Sequence, residues 1–336
     1  MAHKKRLFIL FLFLSALAPG GLHVHASSLA KADITTPDFS QKNNAPAICQ
    51  SAQCLSLTTY NAYWLGSARR PSRTLRDNRE ISNIFKMLVA TNSDVILFQE
   101  INTKRNSRKQ NENFSTASYA LLKSLLEQQG YQVSHGESGF TQQLAIATKT
   151  TVSIIKPAFE LDVDNSFYLD SNCKTRNLRK PLAIHLSMDE ASFLVVNLHL
   201  KSSYKNPTCA QRIRELQSTQ LLAAVKSISG DLKENKIIIG GDFNTDESEP
   251  GIRRLVEEGF TAIIPAQANT APDQKKHDTF IDYFLVSAPF FSHWTKTIKV
   301  YTPADFAIDD TVFDKIYSDH RPVTTWFVLN RTDGHP

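Results

Sequence analysis

Residues 236–247 read KIIIGGDFNTDE. An apolar strand over 236–240 runs into two glycines and then into Asp242 and Asn244, and this kind of ending recurs along the chain. Asn61 lies inside the otherwise apolar TTYNAYWL, and Glu100 ends DVILFQE. Asn197 and His199 end FLVVNLHLKSS, Asp282 interrupts TFIDYFLVS, and Asp319 and His320 form YSDHRPV. Burying a polar group is costly unless it is paired or bound to metal. One such residue is usually a cap or a satisfied core polar group. Six of one chemical kind at six strand ends point instead to one shared acidic pocket.

The segments between these endings set the fold class. Residues 55–63 alternate as a strand. Ile81, Ile84, Phe85, Leu88 and Val89 have helical spacing, which predicts a helix over 77–89. Further helices are expected over 118–129 and 212–228. Strands are expected over 94–99, 144–155, 181–186, 193–200, 280–287, 298–301 and 323–329. Strands that follow one another with no helix between them exclude a simple parallel doubly wound sheet. The pattern fits two packed sheets with helices outside. There is no linker between Leu55 and Leu329 and no short-period repeat, so one domain is expected over 48–331.

The chain has 336 residues, 41% hydrophobic and 21% charged. That is enough to bury a sizeable core, and it excludes wholesale disorder, collagen and coiled coil. The formal charge is +5, but Lys4, Lys5 and Arg6 lie in the first 26 residues, which hold no acid. Without those three, 35 basic residues face 33 acids, so any basic footprint must be local. The same basic triplet precedes the apolar run from Leu7. Pro19-Gly20-Gly21 breaks that run, and Val24-His25-Ala26 follows, the pattern of a secretory signal peptide cleaved near Ala26. The apolar run is about 12 residues, short of the roughly 20 that span a bilayer. A secreted or periplasmic protein is expected, with 27–47 as a polar flexible leader. Cys49, Cys54, Cys173 and Cys209 then allow three disulfide pairings, of which the local ones, Cys49–Cys54 and Cys173–Cys209, are favoured. Without a CxxC pair, zinc binding by cysteine is disfavoured.

The donors at the strand ends suit particular chemistry. Hard oxygens from Asn61, Glu100, Asp319 and Asp242 suit Mg²⁺ or Mn²⁺. His320 beside Asp282 would form a base whose carboxylate orients the ring, with His199 facing the phosphate. There is no GxSxG serine elbow and no Walker loop.

The words TYNAYWL, LFQE, NLHLKSS, GGDFNTDE, FIDYFLVS and SDHRPV, in that order, resemble those of the endonuclease/exonuclease/phosphatase superfamily, over residues 55–329. The resemblance implies a four-layer α/β sandwich, two packed mixed sheets flanked by helices, with the site at one edge. By motif it implies a metal site at Asn61, Glu100 and Asp319. It implies phosphate contacts at Arg179 and Asn197, and catalytic roles for His199, Asp242, Asn244, Asp282 and His320. One word departs from the deoxyribonuclease I pattern. The strand expected to hold a glutamate behind His199 reads GFTQQLAIAT, so Gln142 or Gln143 would hold the ring instead, leaving His199 as a phosphate donor.

The substrate is expected to be nucleic acid, DNA above all, cut by a monomeric secreted nuclease. Three basic clusters support this: Arg69, Arg70, Arg73, Arg76 and Arg79; Lys104, Arg105, Arg108 and Lys109; and Lys174, Arg176, Arg179 and Lys180. Tyr204 and Lys205 are further candidates. The alternative is a lipid phosphodiesterase or phosphatase, a sphingomyelinase or phosphoinositide phosphatase, with residues 289–294 as an exposed aromatic hairpin. Asp305, Asp309, Asp310 and Asp314 are read as a loop facing away from the cleft or as a structural Ca²⁺ site. A non-enzymatic adhesin or toxin-carrier domain is the least supported reading.

Overall fold

A computed structural model describes residues 38–39, 45–68, 74–103, 114–266 and 280–329. All belong to the compact unit Thr36–Pro336. The expected signal peptide and most of the expected leader lie outside the described residues. Within that leader, the Asp38 N–H donates to Phe306 O (2.9 Å), and Phe39 packs on Phe306 and Tyr317.

In chain order the strands are β1 (Cys54–Leu65), β2 (Val95–Ile101), β3 (Tyr131–His135), β4 (Gln143–Lys149), β5 (Ser153–Glu160), β6 (Phe167–Asp170), β7 (Cys173–Thr175), β8 (Leu182–Met188), β9 (Ala191–His199), β10 (Ile237–Asp242), β11 (Phe260–Ile263), β12 (Asp282–Ser287), β13 (Trp294–Val300) and β14 (Val323–Val328). The helices are α1 (Asn78–Ala90), α2 (Ala117–Gln128), α3 (Pro207–Leu232), α4 (Pro250–Glu257), α5 (Ala288–Phe291) and α6 (Asp310–Ile316). One sheet runs β13-β14-β1-β2-β4-β3, the other β5-β8-β9-β10-β12-β11, and β6-β7 form a hairpin. Each sheet is antiparallel except for one central parallel pair, β1/β2 and β9/β10. Each of these pairs is joined through a helix, α1 or α3, so the two sheets repeat one connectivity.

Strand alternation builds the layers. Leu55 and Leu57, Val95 and Leu97, Leu144 and Ile146 meet Ile184, Leu186, Phe193, Val195, Ile238 and Phe284 between the sheets. The alternate residues Tyr60, Ile96, Phe98 and Ala145 pack outward on α1 and α2. Leu194, Val196, Ile239 and Leu285 pack outward on α3 and α4. This is the expected sandwich. Both expected disulfides form, Cys49–Cys54 and Cys173–Cys209, the second tying β7 to the start of α3.

Several expectations need correction. Residues 144–155 are two strands, β4 and β5, one in each sheet, because the chain turns over at Val152, whose N–H donates to Lys149 O (2.9 Å). β3, β6, β7, β11, α4, α5 and α6 were not anticipated. Residues 289–294 are no exposed hairpin: Phe290 is fully buried in α5 and stacks on Phe193 and Phe327. The acids at 305–314 serve the local fold. Asp305 pairs with Lys299, Asp309 caps α6, and Asp314 pairs with Arg321 at 2.6 Å. They are not gathered into a cation site.

Candidate active site

The inter-sheet face is apolar along most of its length and turns polar toward one end. Thr59, Gln99 and Asn197 continue the parity of the apolar positions and form a buried layer. Gln99 Nε2 donates to Asn197 Oδ1 (2.8 Å), and Asn197 Nδ2 donates to Phe98 O and Ala145 O (both 2.9 Å). Asn197 is therefore spent bridging the sheets and has no exposure. The expected phosphate contact there is corrected: two residues short of His199, it lies too deep.

Beyond that layer the same parity carries the site residues, which are also buried. His199, Asp242 and Asp282 are direct neighbours across β9, β10 and β12. Gly241 permits this: a Cβ there would lie 2.0 Å from Leu198 O, and its φ is +146°. The opposite sheet and the loop after β10 supply the rest. Asn61 Nδ2 donates to Asp242 Oδ2 (3.0 Å), and the Asn244 N–H donates to Asp242 Oδ1 (2.8 Å). His320 Nδ1 lies 2.7 Å from Asp282 Oδ2, leaving Nε2 3.9 Å from both Asp242 and Asp319. Irregular backbone aims two of these groups. β1 bulges after Asn61, with positive φ at Tyr63 and Trp64, and Glu100 itself has φ +60°. That turn breaks the alternation of β2, so the Glu100 carboxylate accepts from the Trp64 N–H (2.9 Å) and lies 3.9 Å from His199 Nε2.

The electrostatics follow from burial. Desolvation, then Asp319, pushes Glu100 up to about 7. Desolvation pushes Asp242 up to about 6, against the pull of His320. Asp319 is raised by burial as well. His320 is raised well above the ordinary histidine range: Asp282, Asp242 and Asp319 outweigh its burial. His199 is driven well below that range by burial, then by Arg179, which favours the neutral ring. His199 Nδ1 has no hydrogen-bond partner. Gln143 is turned away, accepting from the Thr103 N–H (3.1 Å) and donating to Phe140 O. The expectation that a glutamine holds this ring is thus overturned.

The donor set fits a divalent cation. Glu100, Asp319 and the Asn61 oxygen are hard ligands. Asp319 Oδ1 is buried without a hydrogen-bond partner, and burial outweighs the nearby cationic groups at both carboxylates. Asp242, Asp282 and His320 also lie close enough to hold a metal, but the His320–Asp282 bond makes that trio a proton-holding pair with a neighbour.

The basic clusters divide. Arg69, Arg70, Arg73 and Lys104, Arg105, Arg108 and Lys109 lie outside the described residues. Arg76 is a structural latch, donating to Ile316 O, Tyr63 O and Tyr317 O (2.9, 3.0 and 2.7 Å). Lys174 and Arg176 are exposed, and Arg179 is buried with Nη2 on Leu200 O (3.1 Å). Two residues were missed in words read only for their acids and histidines. Ser318 accepts from the His320 N–H (3.0 Å) and donates to Asn61 O (2.6 Å). Arg321 donates to Ser318 O (3.2 Å).

The model of the endonuclease/exonuclease/phosphatase family matches residues 58–320, a span that runs from just before Asn61 to His320. The chain belongs to this family. Among curated proteins nothing matches. Among solved structures, the human Nocturnin catalytic domain with bound sulfate anion is 16% identical, with a TM-score of 0.54 over 82% of this chain and 93% of that one. A family protein from Bacteroides thetaiotaomicron is 17% identical (TM-score 0.57; 83% and 99% covered). D. rerio TDP2, complexed with single strand DNA product, is 16% identical (TM-score 0.57; 82% and 99% covered). At these identities the likeness is one of fold. Members of the endonuclease/exonuclease/phosphatase family hydrolyse phosphoester bonds and typically depend on a divalent metal.

Proposed function

We propose that this protein is a secreted or periplasmic, Mg²⁺- or Mn²⁺-dependent endonuclease of the deoxyribonuclease I type, cutting DNA in preference to RNA as a monomer. One observation carries the reading. His199, Asp242 and Asp282 stand in a row across β9, β10 and β12, and His320 is brought from the other sheet to 2.7 Å from Asp282.

His320 Nε2 faces the space beside Asp242 and takes the proton of the attacking water, while Asp282 fixes the ring and stabilises its cation. His199, neutral and with Nε2 3.3 Å from Asp242, donates that N–H to a phosphate oxygen. Asp242, held by Asn61 and Asn244, orients the water. Arg179 offers a guanidinium to the phosphate. Glu100, Asp319 and Asn61 would hold the cation, which supplies charge neutralisation to the phosphate and leaving oxygen. A cation held there would offset Asp319, the smallest of the three carboxylate influences that raise His320, while Asp282 and Asp242 keep theirs.

Nucleic acid is favoured over lipid because Phe290 is buried and Phe291 and Trp294 are half-buried, whereas Lys174, Arg176, Tyr204 and Lys205 are exposed. The two disulfides suit an oxidising compartment, and the mature chain is taken to begin at Ser27. The test incubates that chain, disulfides intact, with supercoiled plasmid and Mg²⁺, beside sphingomyelin and phosphoinositide vesicles. Nicking abolished by EDTA and by His320→Ala is expected. Intact plasmid with phosphate or phosphocholine released from vesicles overturns the reading in favour of the lipid alternative.

A further inference from the structure

The backbone just beyond His199 is held from every side. The Leu200 N–H donates to Asp242 O (2.9 Å), and Leu200 O accepts from Arg179 Nη2 (3.1 Å) and Asn244 Nδ2 (3.3 Å). The Lys201 N–H donates to Gln217 Oε1 (3.0 Å). Lys201 O accepts from Arg214 Nη1 (2.6 Å), which also reaches Ser203 Oγ (2.9 Å). Arg214 and Gln217 are three residues apart and so share one face of α3. Together they grip both polar groups of a single residue.

Arg214 is 3% exposed and turns the rest of its guanidinium to Glu249, the residue at the N-cap of α4, through Nε on Oε2 (2.7 Å) and Nη2 on Oε1. One buried fork therefore ties the loop that leaves β9 to the loop that leaves β10. A bidentate buried pair of this kind fixes geometry more tightly than a turn requires.

The side chain presented by this frame is that of Lys201. It is half-buried, and Nζ spends one hydrogen on Ser202 O (2.7 Å), leaving two. Arg179 lies near enough for its charge to lower the Lys201 pKa. The two remaining N–H groups of Lys201, with the Arg179 charge nearby, match an anion that the carboxylate side of the site cannot bind.

We propose that Lys201 holds the phosphate next to the scissile one that Arg179 serves, and that Arg214 and Gln217 are positioning residues for this subsite. The inference rests on the nuclease reading and deepens it. The preferred substrate is a chain of phosphodiesters, since an isolated diester has no second phosphate to offer.

The test compares bis(p-nitrophenyl) phosphate, a single diester, with a DNA oligonucleotide, using the whole mature protein in Mg²⁺. In Lys201→Gln the ratio of kcat/KM on DNA to kcat/KM on the single diester is expected to fall about tenfold, the scale of one charged hydrogen bond. The loss should lie mainly in KM, and the salt slope on DNA should fall by about one. Gln217→Leu, which spares the buried Arg214–Glu249 pair, should lower the same ratio, and combining it with Lys201→Gln should add little. Arg214→Lys should follow Gln217→Leu. A drop on both substrates with the ratio unmoved overturns the proposal and leaves a merely structural loop. So does a loss confined to phosphoinositide vesicles. Failure of the nuclease reading looks different: the unmodified protein would leave DNA intact while cleaving the single diester or lipid, and the subsite would fall with it.

Discussion

His320 lies between three carboxylates, and its Nδ1 contact to Asp282 leaves one nitrogen for chemistry. Removing that nitrogen by His320→Ala should lower kcat on DNA by about 10³-fold, within the usual range for a lost general base; the ring is buried, so melting should shift too, and kcat is read per folded molecule. Asp282→Asn should also lower kcat strongly, since it removes the charge and lets the amide hold the ring in the other tautomer. Asn197 gives the opposite profile. Asn197→Leu strands the Gln99 amide and two strand carbonyls, so urea unfolding should show about 3 kcal/mol of lost stability while the folded fraction keeps its turnover. A loss of turnover without a loss of stability would return Asn197 to the phosphate site.

Among the elements, the β6-β7 hairpin has little core of its own. Phe167, Leu178 and Ile213 form its small cluster around the Cys173–Cys209 bridge. The bridge closes a span of 36 residues, worth about 4 kcal/mol in the chain-entropy account. Paired Cys173→Ser and Cys209→Ser changes should lower the urea midpoint accordingly, and amide exchange should quicken first over 167–175. The strands themselves were legible where one face alternates, as in β1, or where the run is wholly apolar, as in β2 and β10. The break between β4 and β5 was not, because LAIATKTTVSII keeps a continuous strand-like composition. The turn within it is specified by where the chain changes sheets. Short α6 was obscured by its acids, which read as a charged loop until Asp309 is seen as its cap.

At the scale of the whole molecule, the buried acids make stability depend on pH. Glu100 and Asp242 titrate near 7 and 6 in the folded protein, against ordinary values of 4.5 and 3.8. The folded state therefore holds these protons more tightly than the unfolded chain does. Their stabilisation is complete below the ordinary carboxylate range and is lost as pH rises through about 6 and 7. His320, also raised, acts in the same direction. In EDTA the Tm should fall between about pH 5 and pH 8, and Glu100→Gln should flatten the upper part of that fall. Adding Mg²⁺ should raise the Tm more at the higher pH, because its ligands must be ionised. A Tm in EDTA that rises toward pH 8 would contradict the burial of these groups. The sequence by itself determined the sandwich, the strand ends that carry the acids and histidines, and the favoured cysteine pairs, because alternation and apolar runs are local and the polar interruptions stand out against them. Only the tertiary structure decided which polar residues share the site. Asn197 and His199 lie on one face of one strand, yet two residues of depth make one a bridge between sheets and the other a site group. Arg76 and Arg179 are alike in sequence, but one is consumed by three carbonyls and the other keeps an N–H free, because side-chain partners are set by packing across the sheets rather than along the chain.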